Sequence, residues 1–228
     1  MKVRVMLLLF FVLSLFSMQA LAQTPNVGPV GDESEFAGTQ ICVDAPVSNT
    51  GPPGFGPYFQ MIVPIGVTFD SASVFGTGAT VIDEGVFPAA PGNELNDSII
   101  NEPVTGPEGF QLLLIQLPIG SLVDGAPDLV VELCFTIDPT ADIGVPLDIT
   151  LNPVFEFGDT PTGDNGSILG TPDVFNLTPI LVIFEKENDA PEDERPPSSS
   201  PTATWPVTYT LTADIAPGAT IDLSLIHI

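Results

Sequence analysis

The sequence predicts an all-β, exported protein whose main part is a β-sandwich, and three observations carry that expectation. Glycine (21) and proline (25) together make up about one residue in five of the 228. That density of helix breakers does not suit a helical protein. Apolar residues nevertheless reach 44%, too many for an acidic disordered chain. Seven short apolar runs recur between clusters of turn residues, and no helical period extends beyond two turns.

The elements follow in chain order. Residues 1–22 have the three parts of a secretory signal peptide. Lys2 and Arg4 supply positive charge, an apolar run extends from Val5 to Phe16, and Ala20-Leu21-Ala22 offers small residues for cleavage. Ser17 breaks the run before the roughly 18 residues of a membrane span, so no membrane insertion is expected after cleavage. Residues 23–35 read as an acidic leader, and 36–184 as the sandwich domain. Strands are expected at 39–45, 58–64, 67–75, 110–116, 129–137, 148–157 and 174–184. Val67, Phe69 and Ser71 keep the two-residue rhythm of a half-buried strand, as do Ile149, Leu151 and Pro153. Leu112-Leu113-Leu114-Ile115 and Leu129-Val130-Val131 are continuous and suit strands deep in a core. Turn clusters stand at 49–54, 91–93 and 162–166. A region of this size buries enough surface to fold without a metal.

Beyond residue 184 the composition changes. Residues 185–204 read as an acidic, Pro- and Ser-rich linker or as the first edge of a further repeat. The strand pattern restarts at 205–215, so 205–228 reads as an incomplete second repeat and is expected as a stray or poorly packed β-segment. A sandwich takes about 100 residues, and 24 remain. The last six, Leu223-Ser224-Leu225-Ile226-His227-Ile228, also translate a transposase end sequence used in library preparation. Residues 223–228 are therefore expected to be a sequencing-adapter artefact.

Charge narrows the function. Four bases stand against 29 acids, a net charge of −25, and the four are Lys2, Arg4, Lys186 and Arg195. Cleavage after residue 22 removes two bases and no acid, leaving −27. Such a surface repels phosphate chains and anionic headgroups, which excludes nucleic-acid partners. His227 is the only histidine, so a Ser-His-Asp triad or a His-based zinc site lacks its central part.

The segment 41–67, ICVDAPVSNTGPPGFGPYFQMIVPIGV, carries a recurring turn-and-strand pattern. Its elements are Asn49-Thr50-Gly51, Gly54-Phe55-Gly56-Pro57-Tyr58 and Pro64-Ile65-Gly66-Val67, and WPVTYTLTADIAPGA at 205–219 looks like the same start repeated. In these motifs the chain resembles the Ig-like repeat domains of large bacterial surface proteins, both adhesin-like repeats and isopeptide-forming fimbrial repeats. The resemblance extends over most of 36–222 and implies an Ig-like β-sandwich followed by the truncated start of a second Ig-like repeat. It departs from the isopeptide pattern in one respect, because the first domain has no lysine near its first strand. For the second repeat it implies Lys186 as the crosslinking candidate and Asp214 as the activating acid. A solvated lysine beside Glu185 and Glu187 is the plainer reading.

Few side chains are arranged for chemistry. Cys42 and Cys134 lie in separate apolar strands of an exported chain, and such a pair is expected to form a disulfide. No CxxC or flanking base suits either to redox catalysis. In the loop 157–170, Asp159, Asp164 and Asn165 supply hard oxygen ligands suited to calcium, although Asp and Asn also favour turns on their own account. Asp189, Glu192, Asp193 and Glu194 form a second acidic cluster at the expected domain junction. The three sequons, beginning at Asn96, Asn165 and Asn176, are read as coincidental. Paired carboxylates without a set of aromatic sugar platforms argue against a glycosidase. The expectation is a non-enzymatic structural or adhesive module, secreted and displayed on a bacterial surface. No cofactor is required, calcium is the one candidate, and the partner is a surface ligand or a neighbouring repeat. The alternative is a carbohydrate- or ligand-binding sandwich that serves a missing catalytic domain.

Overall fold

The computed structural model describes residues 23–125, 129–188 and 209–220. The expected signal peptide (1–22), the acidic cluster at 189–194 and residues 223–228 lie outside the described residues.

In chain order the strands begin with β1 (Thr24–Val27), β2 (Glu33–Phe36), β3 (Gln40–Thr50), β4 (Gly54–Phe55), β5 (Pro57–Val63) and β6 (Val67–Val74). They continue with β7 (Thr77–Gly78), β8 (Thr80–Val86), β9 (Glu94–Asp97), β10 (Glu102–Thr105), β11 (Gln111–Gln116) and β12 (Ser121–Leu122). The last are β13 (Leu129–Ile137), β14 (Leu147–Phe155), β15 (Ile168–Leu169), β16 (Asp173–Ile180), β17 (Val182–Asn188) and β18 (Tyr209–Ile215). Two sheets face each other. One is five-stranded in the order β1-β3-β13-β6-β7; the other is seven-stranded in the order β2-β16-β14-β5-β11-β8, with β15 paired to β14. The protein is an all-β sandwich.

Alternation along each strand sends one side chain in two to the shared core. The five-stranded sheet contributes Val43, Ala45 and Val47 from β3 and Val131, Leu133 and Phe135 from β13. The facing sheet contributes Phe59, Met61, Leu113, Ile115, Leu151 and Phe175. Phe135 meets Phe175 across the gap, edge to face at 5.9 Å, and meets Phe69 at 5.6 Å.

The two continuous apolar runs part company. In β11 both faces are buried, because Leu112 and Leu114 point away from the core into a second apolar cluster with Tyr58, Phe87 and Val154. In the β13 run only one face is buried: Leu129 and Val131 are inside and Val130 is 43% exposed. The second cluster exists because the chain between β8 and β11 folds back over the seven-stranded sheet. Its hairpin β9–β10 brings Leu95, Ile99, Ile100 and Val104 against that sheet's outer side.

The strands β8, β9 and β10 are not among those expected, and three further segments differ from expectation. The segment read as an acidic leader supplies an edge strand to each sheet, β1 antiparallel to β3 and β2 parallel to β16. Its backbone finds partners that no local pattern encodes: Gly28 N–H donates to the Pro46 carbonyl at 2.8 Å and Val30 N–H to Asp173 Oδ2 at 2.8 Å. The run expected as one strand over 174–184 divides at Leu181 into β16 and β17. Finally, β18 pairs antiparallel with β17 along seven residues in a ribbon separate from both sheets. Its described side chains at 210 and 212–215 are exposed, in keeping with a poorly packed β-segment rather than a stray one.

Candidate functional site

Parity along the strands defines the outer face of the five-stranded sheet. With Val43, Ala45 and Val47 inside, Cys42, Asp44 and Pro46 of β3 point outward; with Leu133 and Val131 inside, Cys134, Glu132 and Val130 of β13 do the same. The register then sets outward residues in rows. Pro46 lies opposite Val130, Asp44 opposite Glu132, and Cys42 opposite Cys134. On the other side of β13, Ser73 lies opposite Glu132 and Ser71 opposite Cys134.

The cysteine row is closed. Cys42 and Cys134 form a disulfide with Cα atoms 4.0 Å apart, as the export argument expects. Its place is a finding: it staples neighbouring strands on the solvent side of the sheet rather than joining the two sheets through the core. Next to it, Asp44 and Glu132 are two exposed acids directly opposite each other, a like-charge pair that weakens a ladder. Glu132 receives only a long hydrogen bond from Ser73 Oγ, at 3.4 Å. Asp70, at the irregularity between β6 and β13, is better satisfied, accepting from Gln40 Nε2 at 2.8 Å and Thr136 Oγ1 at 2.7 Å.

The apolar row ends at the β6–β7 hairpin. Its two loop residues, Phe75 and Gly76, have φ of +50° and +75°, the pairing of a type I′ turn. That turn prefers Asn or Gly at its first position, and a bulky side chain with positive φ is strained. Phe75 is also 86% exposed. With Ser73, Gly76, Val130 and Glu132 it lines a shallow depression of about 390 Å³.

A second polar constellation lies on the opposite side of the molecule, under the β9–β10 hairpin. Asp97 is fully buried. Its Oδ2 accepts from Tyr58 Oη at 2.6 Å and Gln60 Nε2 at 2.7 Å, and its Oδ1 from the backbone N–H of Ile99 at 2.8 Å and Ile100 at 3.2 Å. Asn152 Nδ2 extends the chain to Gln60 Oε1 at 2.7 Å. Burial, then the bond to Asp97, pushes the Tyr58 phenol far above its ordinary value. Glu156 is pushed up by partial burial and next by the charge on Asp97. Four donors saturate the Asp97 carboxylate, and it anchors the hairpin to the sheet. In the sequence Asp97 stands out only as the middle of a sequon; an Asp before Ser98-Ile99-Ile100 is, however, a recognisable Asx-turn former.

Of the three expected calcium residues, Asp159 and Asn165 are brought together and Asp164 is bonded elsewhere. Asn165 Nδ2 donates to Asp159 Oδ1 at 2.6 Å, whereas Asp164 Oδ2 accepts from Thr162 Oγ1 at 2.6 Å. These are the internal bonds of a turn. Among the described residues there is no group of three or more His, Cys, Asp or Glu side chains placed to hold a metal ion. Lys186 lies opposite Leu211 in the β17–β18 ribbon and Asp214 opposite Ile183, three positions apart along the ladder.

No family model matches the chain and no curated protein does. Solved structures with a similar course include the sixth cohesin of scaffoldin B from Acetivibrio cellulolyticus, solved in complex with a dockerin. It is 14% identical, with a TM-score of 0.36, covering 70% of this chain and 99% of that one. The 35 kDa C-terminal fragment of the major pilin of Streptococcus agalactiae is 12% identical at a TM-score of 0.38, covering 73% and 57%. AvmM, which catalyses macrocyclization in alchivemycin A biosynthesis, is 13% identical at 0.40, covering 70% and 89%. At these values the likenesses assign no role to any residue of this chain.

Proposed function

We propose that the protein is a non-enzymatic structural and adhesive module, secreted and displayed on a cell surface through a larger repeat protein. The observation that carries this reading is the stapled outer face of the five-stranded sheet. Its two neighbouring strands, β3 and β13, are joined covalently on their solvent side, next to exposed apolar and acidic rows. A disulfide of this kind forms and persists in oxidising compartments, in keeping with the signal-like segment at 1–22. The most deeply buried polar groups, Asp97 with Tyr58 and Gln60, are spent on holding a hairpin. The strong negative charge keeps neighbouring modules apart and in solution.

Adhesion of the full chain tests the reading. Protein coupled to inert beads through a terminal tag is passed over immobilised extracellular proteins and cell-wall polymers. Saturable retention on at least one coating, with the coating chemically unaltered by mass spectrometry, is the expected result. Retention on none, or release of cleaved coating material, overturns it.

A further inference from the structure

We propose that the outer face around Phe75 docks a cationic polypeptide: an apolar side chain of the partner enters the depression between Phe75 and Val130 while a neighbouring Lys or Arg spans Asp44 and Glu132. This deepens the adhesive reading and rests on it.

Two observations on one face point the same way. At the hairpin tip, Phe75 occupies a left-handed backbone position and is 86% exposed. Asn at that position would relieve the strain, and a polar side chain would remove the exposed ring, so the residue present is the worse choice twice over for the free protein. Strain and exposure of this kind are characteristic of a contact residue. Along the adjoining row, Asp44 and Glu132 face each other with no better partner than a 3.4 Å bond from Ser73. Replacing water between two such carboxylates with a guanidinium or ammonium group turns a local repulsion into an attraction.

The occupant follows from charge. Beyond residue 22 the sequence contains only Lys186 and Arg195 as bases against 29 acids. A second copy of the chain would therefore bring repulsion rather than cations. Nucleic acids and anionic lipids are repelled for the same reason. A single exposed ring on this face is not the aromatic platform that a sugar stacks upon. A basic protein segment with an apolar neighbour satisfies both rows at once. The Cys42–Cys134 staple beside them holds the strands in register before binding, which lowers the ordering cost of docking.

The test uses the full chain and a bead-displayed library of random dodecapeptides, with the enriched peptides then synthesised and titrated by fluorescence anisotropy. Enriched sequences should place Lys or Arg beside a large apolar residue. Phe75→Asn should weaken their binding by about tenfold or more while raising Tm by about 2–4 °C, because the turn is relieved. Asp44→Asn with Glu132→Gln should weaken binding comparably and flatten its salt dependence. Absence of enrichment, enrichment without bases, or affinity unchanged in both variants overturns the proposal. If wild type and Phe75→Asn beads adhere equally to a coating, this face is refuted and the adhesive reading survives. If peptides bind as expected but the beads adhere to nothing, the adhesive reading falls and the docking face stands.

Discussion

The outer faces of the two sheets solve the same problem in opposite ways. On the seven-stranded sheet, the chain between β8 and β11 returns as a cover, and the strands beneath, β5 and β11, become buried on both sides. On the five-stranded sheet nothing in the described residues returns, and the outward rows carry acids, serines, one disulfide and Phe75. The covered face is held by a buried carboxylate with four donors and the bare face by a covalent bond. The fold thus puts its internal polar chemistry under the hairpin and leaves open surface beside the staple.

The largest effect should come from the bare face. The disulfide closes a span with a sequence separation of 92; in the chain-entropy picture that constraint stabilises by about 4–5 kcal/mol. Cys42→Ala with Cys134→Ala should lower the urea midpoint accordingly without altering the sheet signature in circular dichroism. Stretching the oxidised chain by its ends should leave the 91 residues between the cysteines unextended. Its contour should be shorter than that of the reduced chain by roughly 300 Å, at 3.3–3.6 Å per residue. Equal contours would show that the staple does not form.

The next effect belongs to the covered face. Asp97→Ala leaves the phenol of Tyr58 and the amide of Gln60 without their acceptor in buried positions, and two half-exposed backbone N–H groups that water can reach. At roughly 1–3 kcal/mol for each of the two buried groups, a loss of about 4 kcal/mol is expected. The comparison is sharpened by where the loss appears. Hydrogen exchange should rise first in 87–110 and in β5 and β11, with β3 and β13 protected longest. Uniform loss of protection would mean that the cover and the sandwich are one cooperative unit. A smaller effect at the same cover should follow from Gly106→Ala. Any Cβ there meets the ring of the buried Phe87, and overpacking of this kind typically costs about 1–3 kcal/mol. A neutral Gly106→Ala variant would show that the cover has room to shift.

Much of this contrast is legible in the sequence, and the bare face more so than the covered one. The limits of β13 match the expected 129–137, because LVVELCFTI is bounded by Asp128 and by Asp138-Pro139. Strict parity also places Cys42, Asp44, Val130 and Glu132 on one side, since the small and aliphatic residues between them must face inward. The covered face leaves a weaker trace in the sequence. Thr80–Val86 reads TVIDEGV, and its two acids and glycine resemble a loop; it is a strand because it lies at the sheet edge, where one side is solvated. The pairings of β1 and β2 depend on partners 20 to 144 residues away, and no local period records those. Asp97 is buried only because the hairpin that bears it closes on Tyr58 and Gln60, a contact made by the tertiary fold alone.

The smallest expected effect compares the like-charge pairs of the two faces. On the bare face, Asp44 and Glu132 stand in solvent. On the covered face, Glu156 is partly buried, and desolvation and the Asp97 charge raise its carboxyl above the ordinary value of 4.5. A raised native value means that the folded state holds this proton more tightly than the unfolded chain does. Its stabilising contribution is therefore complete below about pH 4.5 and is lost as pH rises through the native value. Above the native value Glu156 is ionised in both states, and the fold carries the repulsion from Asp97. Glu156→Gln should accordingly raise stability at pH 7 by less than about 1 kcal/mol, with the gain vanishing by about pH 3.5. Urea titrations of the variant and the wild-type protein at the two pH values measure it. A gain equal at both would show that shape and hydrogen bonding at position 156, rather than its charge, set the difference.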